Sequence, residues 1–200
     1  MLSSVGAPGV TATNDAVGGY TTSDVLTQLN DPEVSSQVAH ADVVVVQVGA
    51  NDVGYDPGCG PSPGCYEPAI PTVERNLNAI VARVHDLTRG HHVQLALVDY
   101  WSVWLGGRYA RAQGAAYVAG AAEVTDQVNA LIADAAARTG AAYVDLRAAF
   151  KGPDYTFDET HYLGPDGDHP NAAGHRQIAA AVVSEIVATP SATPQRSGAR

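Results

Sequence analysis

Apolar runs alternate with helical patterns along most of this chain, the order expected of a parallel sheet covered by helices. Val43-Val44-Val45-Val46-Gln47-Val48 predicts a fully buried strand. Val73, Leu77, Ile80, Val81, Val84 and Leu87 recur at helical spacing between Thr72 and Leu87, and Arg89-Gly90 closes that helix. Val93 to Val98 predicts the next strand. An Ala-rich helix then runs from Ala115 to Thr139 and ends at Gly140, and Ala142 to Leu146 reads as a third strand. Pro170 suits the first turn of a last helix reaching Val187. Near the start, Val10 to Asn14 reads as a short strand. It leads through Gly18-Gly19-Tyr20 into a helix containing Val25, Leu26 and Leu29, which Thr21, Thr22 or Ser23 would cap. There are no internal repeats.

Two hundred residues fit one domain, read here as 1–188, with residues 189–200 as a disordered tail rich in Pro, Ser, Thr, Gly and Arg. A formal charge of -10 argues against a nucleic-acid partner, because a phosphate backbone demands Lys and Arg. No apolar run approaches the length of a membrane span, and no basic amphipathic stretch suits an anionic bilayer surface. Cys59 and Cys65 sit in a loop crowded with proline and glycine. A short disulfide-closed loop in an oxidising compartment is the natural reading, with two free thiols as the alternative. The expected location is extracellular, although Met1-Leu2-Ser3-Ser4 begins no secretory signal; a cytoplasmic location is the alternative.

Chemistry concentrates in two places. Asp166 lies three residues before His169, close enough to fix the imidazole tautomer and stabilise the cation formed when the ring accepts a proton. Gly49-Ala50-Asn51-Asp52 follows the Val43 strand directly, putting an amide side chain at the C-terminal end of the sheet, where open α/β folds bind ligands. Asp168 competes with Asp166 as orienter, but its adjacency to His169 turns it elsewhere. Asp52 braces its turn rather than reacting. His161, Asp166, Asp168, His169 and His175 invite a metal reading; His169 and His175 are six apart and share no helix face, so no metal and no cofactor is assigned. His40, His85, His91 and His92 read as solvated surface residues. Tyr100, Trp101, Val103, Trp104 and Leu105 are either a substrate-pocket wall or core, and Tyr155, Phe157 and Tyr162 carry the same two readings.

Asn14-Asp15-Ala16-Val17-Gly18-Gly19-Tyr20-Thr21-Thr22, Gly49-Ala50-Asn51-Asp52 and Asp166-Gly167-Asp168-His169-Pro170-Asn171 together resemble the second, third and fifth sequence blocks of the SGNH (GDSL-type) hydrolases. The resemblance spans Val10 to Val187. It implies a flavodoxin-like three-layer α/β/α fold with a parallel sheet, and hydrolysis of carboxylic esters by serine acyl transfer. It further implies that the Gly19 N–H and the Asn51 amide form the oxyanion hole, His169 is the base and Asp166 its orienter. Each oxyanion donor is typically worth about 3–4 kcal/mol of barrier. The implied substrate is a small-molecule ester of a lipid or an acylated carbohydrate.

One block departs from the pattern. The family's first strand ends in Gly-Asp-Ser-Leu or a variant, and this chain contains no Gly-Asp-Ser. Ser3 and Ser4 are the only serines ahead of Gly19, with no strand to hold either. The expectation is therefore a truncated sheet whose first strand, and nucleophile, lie upstream of Met1. Such a chain would be inactive and, with about 10 kcal/mol of strand burial absent, marginal or aggregation-prone. The alternative is a non-catalytic module that keeps the ester pocket and binds without turnover.

Overall fold

The computed structural model describes residues 10–189. Its elements, in chain order, are helices α1 (Thr22–Gln28) and α2 (Pro32–Ala39), strand β1 (Val43–Val46), α3 (Ile70–Leu87), β2 (Gln94–Val98), α4 (Gly107–Ala112), α5 (Ala115–Thr139), β3 (Ala142–Val144), α6 (Leu146–Lys151) and α7 (Ala172–Ala188). The three strands are all parallel and ordered β1-β2-β3, with Val44 opposite Leu95 and Leu97 opposite Tyr143.

Alternation along β2 sorts the core into two layers. Leu95 and Leu97 join Ile80 and Val84 of α3 and Val128 and Ile132 of α5. Ala96 and Val98 pack instead with Phe150 of α6, and Ile178 and Val182 of α7 lie against them. Helices thus cover both faces of β2, giving the α/β/α sandwich expected for a hydrolase of this type.

β1 differs from its expectation. It stops at Val46 and is not buried on both faces: Val44 and Val46 pack against the α3/α5 layer, whereas Val43 is 41% and Val45 49% exposed. Among the described residues no helix covers that second face and no strand pairs with the outer edge of β1. The expected strand at Val10–Asn14 is likewise coil: its residues pair with no strand, and Asn14 accepts from the Ala16 N–H in a local turn at 3.1 Å.

Capping explains the other boundaries. Thr21 caps α1 through a reciprocal box with Asp24. Asp31 followed by Pro32 starts α2, a helix absent from the periodicity reading. Gly140, at φ +73°, ends α5 in the left-handed region that glycine tolerates best. The third strand ends at Val144 because the Asp145 carboxylate accepts from the Ala148 N–H at 2.6 Å and opens α6 instead. Pro170 is not in the first turn of α7: it forms an antiparallel bridge with Leu163, and Asn171 caps the helix from the amides of Ala173 and Gly174.

Cys59 and Cys65 are disulfide-bonded, with Cα atoms 6.1 Å apart. The ring is tied inward by the Tyr66 hydroxyl, which donates to the Gly60 carbonyl at 2.9 Å and accepts from the Asp56 N–H at 3.0 Å. Its Pro61 carbonyl rests on Gly120 of α5, where an added Cβ would come within 2.1 Å of the oxygen. Ser3, Ser4 and nearly all of the expected tail, residues 190–200, fall outside the described residues.

Candidate active site

The loop from Leu163 to Asn171 holds an imidazole and its carboxylate. Asp166 Oδ2 lies 3.0 Å from His169 Nδ1, and Asp166 Oδ1 accepts from the backbone amides of Asp168 and His169, each at 3.1 Å. Those two backbone donors, then the imidazole, hold the Asp166 carboxyl below its ordinary range. It therefore stays an anion beside the ring at neutral pH, the condition for stabilising an imidazolium. Asp168 does not bond the ring. Burial pushes its carboxyl upward.

The loop is pinned from several directions. Gly164 N–H donates to the His169 carbonyl at 2.7 Å, and Gly106 N–H to the Gly167 carbonyl at 2.8 Å. Gly167, at φ +78°, sits so close to Tyr109 that a Cβ would lie 2.4 Å from the ring. Asn171 Nδ2 donates to the carbonyls of His161 and Leu163, both at 2.9 Å. His161 itself lies against Tyr162 at a tilt, and His175 rides on α7. Among the described residues no three His, Cys, Asp or Glu side chains converge as a metal site would require.

The second group of expected residues follows β1. Asn51 Nδ2 donates to the Tyr20 carbonyl at 2.9 Å, which brings Asn51 beside the Gly18-Gly19-Tyr20 turn and leaves its other amide hydrogen for a ligand. Gly19 has φ +86°, and a Cβ there would meet nothing within 4 Å, so the position answers a backbone need and not a packing one. Asp52 braces the same junction: it accepts from Thr22 N–H at 2.9 Å and Thr22 Oγ1 at 2.6 Å. Asn76 of α3 adds bonds to Thr22 and Ser23.

An aromatic layer packs behind the Asn51 turn. Trp104 donates its indole N–H to the Val53 carbonyl at 2.8 Å and packs with Tyr55, Tyr66 and Tyr117, and the Tyr117 hydroxyl accepts from Leu105 N–H at 3.1 Å. Trp101 stacks on Phe150 at 4.4 Å and belongs to the core. The sequence reading missed the supporting residues Tyr109, Gly106 and Asn76. They touch the site only through the tertiary fold, and no local spacing marks them.

A carboxylate-braced imidazole on one loop and an asparagine turn after β1, on an α/β sandwich, are the features the sequence resemblance led one to expect. The model of the GDSL-like lipase/acylhydrolase family matches residues 2–177, and the chain belongs to that family of ester hydrolases. Among solved structures, a lipase from a goat rumen metagenome superposes with a TM-score of 0.60 at 16% identity, covering 82% of this chain and 73% of that one. An acetylxylan esterase from Geobacillus stearothermophilus gives a TM-score of 0.57 at 23% identity, over 84% of this chain and 68% of that one. An α/β hydrolase enzyme from the metagenome of Lake Arreo, Spain, gives 0.53 at 22% identity, over 86% and 70%. Likeness at such identities establishes the fold. No curated protein sequence matches the chain.

Proposed function

We propose that this chain carries the base and oxyanion halves of a carboxylic-ester hydrolase that works by serine acyl transfer. The 3.0 Å Asp166–His169 contact, in a chain of this family, is the observation that carries the reading. His169 takes the serine proton as acyl transfer begins and returns it to the leaving alcohol, while Asp166 holds the tautomer. The Gly19 N–H and the free amide hydrogen of Asn51 meet the charge on the tetrahedral intermediate.

Among the described residues no serine hydroxyl is hydrogen-bonded to His169. The nucleophile is assigned to a strand added along the open edge of β1, next to the Asn51 turn. Small esters, of lipids or of acylated carbohydrates, are the substrates that fit this chemistry. The disulfide supports an extracellular setting.

Two measurements test the proposal. The 200-residue chain should release no p-nitrophenol from p-nitrophenyl butyrate beyond buffer; fluorophosphonate-sensitive release, lost in His169→Ala, overturns the placement of the nucleophile. A chain extended by a β-strand ending in Gly-Asp-Ser-Leu should turn over with dependence on His169. Its inactivity, with the fold intact, overturns the hydrolase reading in favour of a binding module without turnover.

A further inference from the structure

The loop that follows the Asn51 turn bonds only to itself. Cys59 N–H and Gly60 N–H donate to the Asp56 carbonyl, Gly58 N–H to the Asp56 carboxylate, and Cys65 N–H to the Ser62 carbonyl. Among the described residues, no hydrogen bond made by residues 54–65 reaches beyond Tyr66. The loop therefore keeps its place through the Cys59–Cys65 bond, the Tyr66 hydroxyl spanning Asp56 and Gly60, and packing.

That packing leads back to the Asn51 turn. Pro61 and Trp104 converge on Gly120 of α5, where a Cβ would come within 2.1 Å of the Pro61 oxygen and 3.2 Å of the indole. Tyr66 lies on the same indole, with ring centroids 4.8 Å apart. The indole N–H in turn donates at 2.8 Å to the carbonyl of Val53, which closes the Ala50–Val53 turn that carries Asn51. A path of direct contacts thus runs from the two sulfurs through Tyr66, Pro61 and Trp104 to the turn. The indole and the Val53 carbonyl are buried, so a shift of the ring would leave both without a partner.

We propose that the Cys59–Cys65 pair is a redox-sensitive brace for the Asn51 turn. Oxidised, it fixes the loop that seats Pro61 and Tyr66 against Trp104. Reduced, it releases them, and the turn loses its clamp. The bond closes over a sequence separation of only 6, so it constrains the unfolded chain less than a long-range bridge would, and its action is local. Cys65 is exposed, within reach of a dithiol. The reagent's thiolate bonds to Cys65 Sγ as the S–S bond breaks, and Cys59 leaves as a thiolate and takes up a proton. The reagent's second thiol then closes its own disulfide and frees Cys65, so two electrons pass to the protein and one dithiol is oxidised. Control of ester hydrolysis by this brace rests on the reading of Asn51 as an oxyanion donor; the coupling of sulfurs to turn does not.

Hydrogen exchange in the ¹⁵N-labelled full chain tests it, first oxidised and then in dithiothreitol, with a thiol titration confirming that both cysteines are free. Expected on reduction is exchange about tenfold faster at the Trp104 indole N–H and at the Asp52 amide, which bonds the Gly49 carbonyl, with the β2 amides unchanged. Reoxidation with diamide should restore the slow rates. Tyr66→Phe, which keeps the disulfide and removes both hydroxyl bonds, should speed the Trp104 signal about threefold. A Trp104 signal unmoved once both thiols titrate overturns the brace. Equal acceleration in β2 overturns it as well, because the bond would then support the whole fold and not the turn. No substrate enters these measurements, so a chain that hydrolyses nothing leaves the brace standing, and an uncoupled turn leaves the hydrolase reading standing.

Discussion

The two ends of the sheet are built to different standards. At the β2–β3 end the upper rim is locked by buried polar groups. Asp99, 1% exposed, accepts from Leu146 N–H at 2.6 Å, Arg147 N–H at 3.3 Å and the Tyr143 hydroxyl at 2.7 Å. Asn129 clasps both the N–H and the carbonyl of Tyr100. At the β1 end the rim is held mainly by half-exposed bonds from Asp52 and Asn76, over a strand with one bare face. The contrast teaches that the β2–β3 end is finished by buried bonds, while the Asn51 turn rests on a strand with a half-exposed face.

The largest effect should come from breaking the finished end. Gly167→Val forces a Cβ into the Tyr109 ring at a left-handed φ, and should cost about 3–4 kcal/mol in urea denaturation. A loss below about 1 kcal/mol would mean that Tyr109 does not support the loop.

Asp99 gives the next effect, on pH. Burial, with the Asp145 charge adding to it, pushes its carboxyl up to about 7 against the pull of its three donors. Unfolded, the group ionises near 3.8. Its contribution to stability is therefore whole below pH 3.8 and is lost as pH rises through about 7. Asp99→Asn, which imitates the protonated acid, should flatten the fall in unfolding free energy between pH 5 and 8, a change on the order of 2–3 kcal/mol. Parallel pH profiles for the two proteins would count against the buried proton.

Weaker effects are expected at the β1 end. Asp52→Ala removes two bonds to Thr22 and should cost about 1–2 kcal/mol, with faster amide exchange confined to α1. Exchange spreading into α5 would show the donor turn to be more deeply rooted. Val45→Lys should change stability by no more than about 0.5 kcal/mol. In sedimentation velocity it should reduce self-association, because a lysine on an open strand blunts edge pairing. Unchanged association would place the sticky surface elsewhere.

Much of this was legible in residue order, and unevenly so. α5 was readable to its last residue because Gly140 marks the stop. Its start followed Gly114, and its length let the pattern speak. The Asp166–His169 spacing is local, so one loop of chain suffices to express it. β1 misled because an all-valine run looks the same whether a helix covers it or not; burial is a property of neighbours, and those are set by tertiary packing. Asp31-Pro32 and Asp145 were helix-start signals lying in plain view, overlooked because short helices offer too few turns for periodicity. Tyr109 and Glu159 had no signal at all. They meet the loops they support across sequence separations that composition cannot express.

The bare flank of β1 has a practical corollary. Among the described residues its outer backbone amides and carbonyls pair with no strand, and the inner edge is held by β2. Among the described residues, seating one more strand there breaks no existing bond. An engineered peptide could be threaded onto that edge as a splint, and its first measurable consequence would be slower amide exchange along β1.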